Sequence, residues 1–486
     1  MNTYIGVDLG TSAVKLLLAN ENGKVLSSAS ESYPVFYPHA GWSEQNPNDW
    51  LAAVERAMPR LLHGFDGACV RGISFGGQMH GLVVLDEKDE VIRPCILWND
   101  GRTQAQTDYL NDKVKGIIKF TANRAFAGFT APKILWLEEH EPENFARISK
   151  IMLPKDYLIY KLTGSFVTDL SDASGTLLLD VENRNWSGDM LEICHVKREW
   201  LPELKESYEA VGELKPCYAE KWGLTKVKAA AGAGDNAAAA TGTGNVKEGD
   251  CTISLGTSGT VFISRDKFIA DAGAQLHSFC HANGRYHLMG CILSAAACYG
   301  WWTGVLQSDD NAREQAGGER YMGVNNVYFL PYLMGERSPH NDVHAKGAFI
   351  GLRPDTTRTQ MTVAVLEGVA FALRDCIEVA RRGGTEIRSA RLCGGGAASP
   401  LWRKIIADVC GIPVEMPAVE QGPAYGAAML AMVACGAYKD VFEAAQKIVR
   451  VKETILPDAE IAKKYDERYA VFTKLYPALK SVERLF

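Results

Sequence analysis

Hydrophobic and polar positions along this chain follow two rhythms, short apolar runs suited to strands and longer 3.6-residue patterns suited to helices. Near the start, Ile5-Gly6-Val7 reads as a strand that ends in Asp8-Leu9-Gly10-Thr11-Ser12, and a β-rich run from Val14 to Ala19 follows at once. The Asn22-Gly23 pair after it predicts a tight hairpin. The same order returns at Thr252-Ile253-Ser254-Leu255-Gly256-Thr257-Ser258, with Thr260-Val261-Phe262-Ile263 behind it. The two Leu-Gly-Thr-Ser turns lie 246 residues apart, about half the chain. An echo at that spacing predicts two lobes of related construction, each turning one loop toward a shared cleft.

Later patterns add helices. Ala390-Arg391-Leu392-Cys393 reads as a buried strand, and Gly394-Gly395-Gly396 turns the chain sharply. Ser399-Pro400 then supplies an N-cap and a first helical residue for a helix ending at Gly411, with Leu401, Ile405, Ile406 and Val409 on its apolar face. A second helix, from Ala424 to Cys435, is apolar all round and reads as packed core. Strands mixed with helices make the chain α/β. The Ala/Gly-rich stretch from Val227 to Gly244 ends in the polar run Asn245 to Asp250, which suits an interlobe crossing. We therefore expect domains at 1–246 and 247–486.

Composition narrows the partners. A chain of 486 residues exceeds what one core usually organises, consistent with two domains. A net charge of -6 and the lack of a dense Lys/Arg run remove the electrostatic footprint expected for nucleic acid or anionic lipid. The N-terminus carries no leader pattern, and no stretch reaches the ~18 apolar residues of a membrane span. The expectation is a cytoplasmic protein acting on small molecules. None of the 12 cysteines forms a C-x-x-C pair, so a thiolate metal site is not expected.

The candidate chemistry is phosphate handling. Glycine turns let backbone N–H groups face a concavity, and Thr11, Ser12 and Thr257 add hydroxyls, with Lys15 close by in sequence. Either turn alone is more simply a hairpin; as a pair they favour phosphate. The chain has no G-x-x-x-x-G-K-[ST] loop and no protein-kinase motif set. Gly232-Ala233-Gly234-x-x-Ala237 matches a dinucleotide fingerprint, but Asp235 would repel a pyrophosphate there. Asp235 reads equally as a helix cap or as a general base. Asp8, beside a phosphate turn, reads as a Mg²⁺ partner or a turn-initiating residue. In the loop Gly76 to Gly81, Gln78 and His80 offer hydrogen bonds suited to a polyol.

Taken together, the chain resembles the FGGY carbohydrate kinases of the actin-like ATPase superfamily. Two long stretches are similar to that family's signatures: Gly128-Phe129-Thr130-Ala131-Pro132-Lys133 running on to His140, and Gly347-Ala348-Phe349 running on to Gly368. Gly77-Gln78-Met79-His80-Gly81, Ile96 to Arg102, Leu153-Pro154-Lys155-Asp156-Tyr157 and Leu333 to His340 resemble its xylulose kinase branch. Glycerol kinases typically carry Arg-Glu where Met79-His80 stand. The resemblance implies two ribonuclease H-like domains with ATP and Mg²⁺ in the cleft between them, and transfer of phosphate to D-xylulose. The alternatives are another FGGY acceptor (ribulose, gluconate, glycerol) or a non-kinase actin-like ATPase. It implies Asp235 as catalytic base, and Gln78, Met79, His80, Asp235 and Asn236 at the sugar. Asp8 would serve the metal and take part in catalysis. Thr11, Ser12, Lys15, Gly256 and Thr257 would meet the phosphates, and Gly395 and Ser399 would border the adenine and ribose. Ser399 stands where some relatives have asparagine. A homodimer stays open.

Overall fold

The computed structural model describes residues 1–270, 273–306 and 317–483. Among these, two seven-stranded mixed sheets organise the molecule. In the first, Thr3–Leu9 pairs antiparallel with Ala13–Asn20, which pairs antiparallel with Val25–Ser32. On its other side Thr3–Leu9 runs parallel to Val70–Gly77, which runs parallel to Lys228–Ala230. In the second sheet, Asp250–Leu255 pairs antiparallel with Gly259–Arg265, and that strand with Tyr286–Ile292. Asp250–Leu255 is parallel to Ser389–Cys393, which is parallel to Val414–Pro417. A three-strand meander followed by two parallel strands is thus built twice, as the ribonuclease H-like expectation requires.

Burial follows strand position. Thr3–Leu9 is covered on both faces and is mostly apolar, whereas the edge strand Val25–Ser32 alternates toward solvent and carries four serines and one glutamate. Helix Pro47–Leu62 is capped by Asn46, whose side chain accepts from the Asn48 N–H, and it lays Trp50, Val54, Met58 and Leu61 on the second and third strands. The second sheet is covered by Arg358–Arg382, opened by a Thr357/Gln360 capping box. Helix Pro400–Cys410 forms with Ser399 as N-cap and Gly411 at φ 65° as C-cap.

Helix Pro423–Ala434 does not stay with the strand that precedes it. It crosses to pack on Thr3–Leu9, on Val70–Gly77 and on helix Asp235–Thr243 of the first half. Glycines make the approach possible. A Cβ on Gly6 would come within 1.8 Å of the Ala424 carbonyl oxygen, and one on Gly426 within 1.8 Å of the Ala238 carbonyl oxygen. The Tyr425 hydroxyl donates to the Gly23 carbonyl at 2.8 Å, tying the helix to the first hairpin. No helix among the described residues is long and apolar enough to cross a membrane.

Candidate functional site

A cleft of about 710 Å³ opens between helix Asp235–Thr243 and the second sheet. Its floor includes Thr252, Ser254 and Thr260, the polar positions of strands whose alternate residues, Cys251, Ile253, Leu255 and Val261, are buried in the core. The rim is formed by the glycine turn after Ser389–Cys393 and by Gln421-Gly422 at the entrance to the crossing helix.

Asp235 and Asn236 line this cleft as the first residues of their helix. The N-cap is Gly234, so the Asp235 carboxylate is not committed to capping. Its Oδ1 accepts from the Asn236 backbone N–H at 2.7 Å and from Asn236 Nδ2 at 2.8 Å. Burial pushes the Asp235 carboxyl up to about 6, with those two bonds pulling the other way. Behind it, the Gly234 N–H donates to Ser171 Oγ at 3.2 Å, and Ser171 donates in turn to Asp169. Asp169 is one of three buried carboxylates around the fully buried Lys155, with Asp156 at 2.6 Å, Asp169 at 2.9 Å and Asp172 at 3.6 Å. The helix start therefore rests on a braced ionic cluster.

Asp8 ends the first strand, paired in register with Lys15. Burial first and the negative charge of Asp235 second raise its carboxyl to about 7, with Lys15 pulling the other way. Lys15 Nζ lies 3.5 Å from the Gln421 carbonyl on the cleft rim. The two carboxylates at the end of the strand and the start of the helix thus share one electrostatic environment, with one ammonium beside them. Hard oxygen donors of this kind, too few to enclose an ion, suit Mg²⁺, which keeps waters and takes phosphate oxygens as further ligands. No group of three or more His, Cys, Asp or Glu side chains that could hold a metal occurs among the described residues.

The matching turns take the shape expected of them. Thr11 and Ser12 bend the chain between the first two strands, and Gly256 and Thr257 do so in the second sheet. Thr11 Oγ1 accepts from Trp98 Nε1 at 3.0 Å, and its carbonyl from Gln45 Nε2 at 2.6 Å. The Gly256 and Thr257 carbonyls accept from Ala296 and Ala295, both at 2.9 Å. Gly395 lies in a short 3-10 turn, Gly395–Ala398, on the cleft wall. Ser399 caps the helix that follows, its Oγ accepting from the Trp402 N–H at 3.1 Å, while Ala397, Ala398 and Arg403 face the cleft.

On the far side of Asp235, Gln78, Met79 and His80 follow strand Val70–Gly77. The Met79 side chain packs against Gly234, where an added Cβ would stand 3.0 Å from its sulfur. Gln78 Nε2 donates to Gln45 Oε1 at 2.8 Å, which leaves the buried Gln78 Oε1 without a partner. His80 has φ 70°, a strained value for a non-glycine residue, and its carbonyl accepts from Lys133 Nζ at 2.7 Å and Thr130 Oγ1 at 3.1 Å. Its Nδ1 lies 2.7 Å from the Gly175 carbonyl, which can only accept, so Nδ1 carries the proton and Nε2 presents a lone pair. Burial holds the ring down to about 3, and it stacks on Phe129 at 4.5 Å.

Several neighbours escaped the sequence reading. Thr252, Ser254 and Thr260 carried a usable signal, because polar residues alternating with core residues in a strand must face something wet. Gly175 carried none, since its contact with His80 spans 95 residues, and Trp98, though in the Ile96 to Arg102 stretch, gave no local sign of its contact with Thr11, 87 residues away.

Residues 3–242 match the N-terminal domain of the FGGY family of carbohydrate kinases, and residues 251–435 match its C-terminal domain. The chain belongs to the FGGY family. A xylulose kinase of Escherichia coli (strain K12) is 43% identical over 481 residues, covering 98% of this chain and 99% of that one. Among solved structures, a xyloylose kinase from Brucella ovis superposes with a TM-score of 0.95 at 41% identity, covering 99% of this chain and 100% of the other. A gluconate kinase from Lactobacillus acidophilus reaches a TM-score of 0.93 at 28% identity, covering 98% of each chain. The FGGY fold by itself therefore does not select the sugar.

Proposed function

We propose that this FGGY kinase transfers the γ-phosphoryl group of MgATP to the 5-hydroxyl of D-xylulose, with Asp235 as general base. The observation that carries the reading is the position of Asp235. It stands where the nucleotide-sized cleft, the Asp8–Lys15 strand end and the Met79–His80 loop meet, with an acidity raised to about 6. A carboxyl with that value is mostly ionised at neutral pH yet basic enough to take a proton.

In this reading the sugar packs on Met79, with His80 Nε2 and Asn236 Nδ2 meeting its hydroxyls. Asp235 takes the 5-hydroxyl proton as the new O–P bond forms, the bond from phosphorus to the bridging oxygen breaks, and ADP leaves with that electron pair. Thr11, Ser12, Lys15, Gly256 and Thr257 meet the phosphates, and Gly395 borders the adenosine end. Asp8 is the residue that would hold Mg²⁺, which when bound offsets phosphate charge. The domain boundary falls near residue 246, in the turn after helix Asp235–Thr243. The likeness to xylulose kinases supports the acceptor, and the Met79-His80 pair supports a ketose over glycerol.

The test has two arms. A panel of D-xylulose, D-ribulose, gluconate and glycerol in a coupled ADP assay should give the highest kcat/KM for D-xylulose; a higher value for any other sinks the acceptor. Asp235→Ala should lower product formation about 10²- to 10⁴-fold while ATP still binds. Turnover near that of the unmodified enzyme would remove Asp235 from the chemistry.

A further inference from the structure

Every side chain assigned above to the sugar comes from the first half of the chain. One cation of the second half reaches the rings packed beside His80. The Arg337 guanidinium lies 4.9 Å from the centre of the Phe126 ring. Phe126 meets Phe129 edge-on at 5.5 Å, and Phe129 is the ring on which His80 stacks. His277, from the second sheet, closes the group at 5.3 Å from Phe126 and 5.5 Å from Phe129. His277 is held well below its ordinary value by burial first and then by the charge of Arg337.

The guanidinium is only partly buried, and no carboxylate or hydrogen-bond acceptor among the described residues engages it. Its neighbour Glu336 is turned away. Glu336 Oε1 accepts from the Leu293 N–H at 2.9 Å and from the Arg337 backbone N–H at 2.7 Å, and burial pushes the carboxyl up to about 8. Glu336 is therefore mostly protonated at neutral pH and supplies little counter-charge. The loop that carries Arg337 is nonetheless firmly held. Ser338 exchanges hydrogen bonds with Cys291 at 2.9 and 3.1 Å, Tyr332 bonds His340 at 3.0 Å, and His340 stacks on Tyr476 at 4.1 Å. A guanidinium offers five donors and cannot accept, so a preset, unpaired one beside an aromatic floor suits an oxygen-rich ligand.

We propose that Arg337 is the contact of the second half with the sugar, its guanidinium donating to a hydroxyl or ketone oxygen of the bound ketose. Sugar binding then ties the two halves together. The inference rests on the placement of the sugar at Met79, His80 and Asp235.

The test is steady-state kinetics of Arg337→Gln and Arg337→Lys with D-xylulose and with analogues lacking the oxygen at C1, C2, C3 or C4 in turn. Arg337→Gln should raise the sugar KM about 10- to 100-fold and leave the ATP KM within about threefold, the scale of one hydrogen bond to a charged group. For one analogue the penalty should vanish, because the lost oxygen was the acceptor, and a merely structural role would not give that result. Arg337→Lys keeps the stem on Phe126 and the charge but loses the fork; it should show the same analogue dependence, and it carries the test if Arg337→Gln does not fold. A sugar KM within about twofold of the unmodified enzyme, or a penalty that persists with every analogue, overturns the assignment. An unmodified enzyme that phosphorylates no ketopentose would instead sink the sugar reading itself.

Discussion

Asp235 shows how one residue acquires chemistry from its surroundings. Locally, Ala231-Gly232-Ala233-Gly234-Asp235-Asn236 fits a capping aspartate as well as a base, and in the fold the cap position falls to Gly234. Burial then raises the carboxyl to about 6, and its negative charge, after burial, helps raise Asp8 to about 7. Because the base must be ionised to accept a proton, kcat/KM for the sugar should be flat at alkaline pH and fall through an acid limb with an apparent value between about 6 and 7. A pH–rate profile checks this, and full activity at pH 4.5 would contradict it. At this scale Asp8, Lys15, Asp235 and His80 were legible as ionisable candidates, since they are rare polar types in apolar or glycine-rich settings. What the sequence lacked were partners distant in the chain. Gly175 fixes the tautomer of His80, and no local pattern marks it. Ser399 was legible as a helix cap, because the Ser-Pro pair is a local signal.

Among the elements, the strand–turn–strand units and the helix from Pro400 were readable because their signals are local: period-two apolar runs, Asn-Gly, Ser-Pro and a closing Gly411. The helix Pro423–Ala434 was readable only in part. An Ala-rich segment that is apolar all round announces burial, but periodicity does not say against what, and its partner proved to be the sheet of the other half. That contact depends on missing side chains. Gly426→Val should destabilise the protein by about 1–3 kcal/mol or more, because its branched carbons meet the Ala238 carbonyl and backbone cannot yield as a side chain can. A lowered urea midpoint measures this; an unchanged midpoint would mean that the two helices separate freely.

Over the whole molecule, the crossing helix makes the halves interdependent. The first sheet is covered by the helix face carrying Pro423, Ala424, Ala428 and Ala431, which lies against Gly6, Gly72 and Gly76 of strands Thr3–Leu9 and Val70–Gly77 and removes their apolar surface from water. A fragment of residues 1–246 should therefore lack cooperative thermal unfolding on its own and regain it when mixed with 247–486 during refolding. Calorimetry of the separate and combined fragments checks this, and a sharp transition in 1–246 alone would contradict it. The twofold sheet topology was foreshadowed by the repeated Leu-Gly-Thr-Ser, whereas the exchange of a helix between halves had no counterpart in the repeat. That exchange also bears on synthesis. On a ribosome adding roughly 5–20 residues per second, the strand carrying Gly6 is complete long before Ala424 exists, and the face of the first sheet waits on the order of ten to forty seconds after residue 246 for its cover. During that interval an apolar sheet surface is presented to the cell. The last fifth of the chain to be made therefore supplies the cover that the first sheet lacks until then.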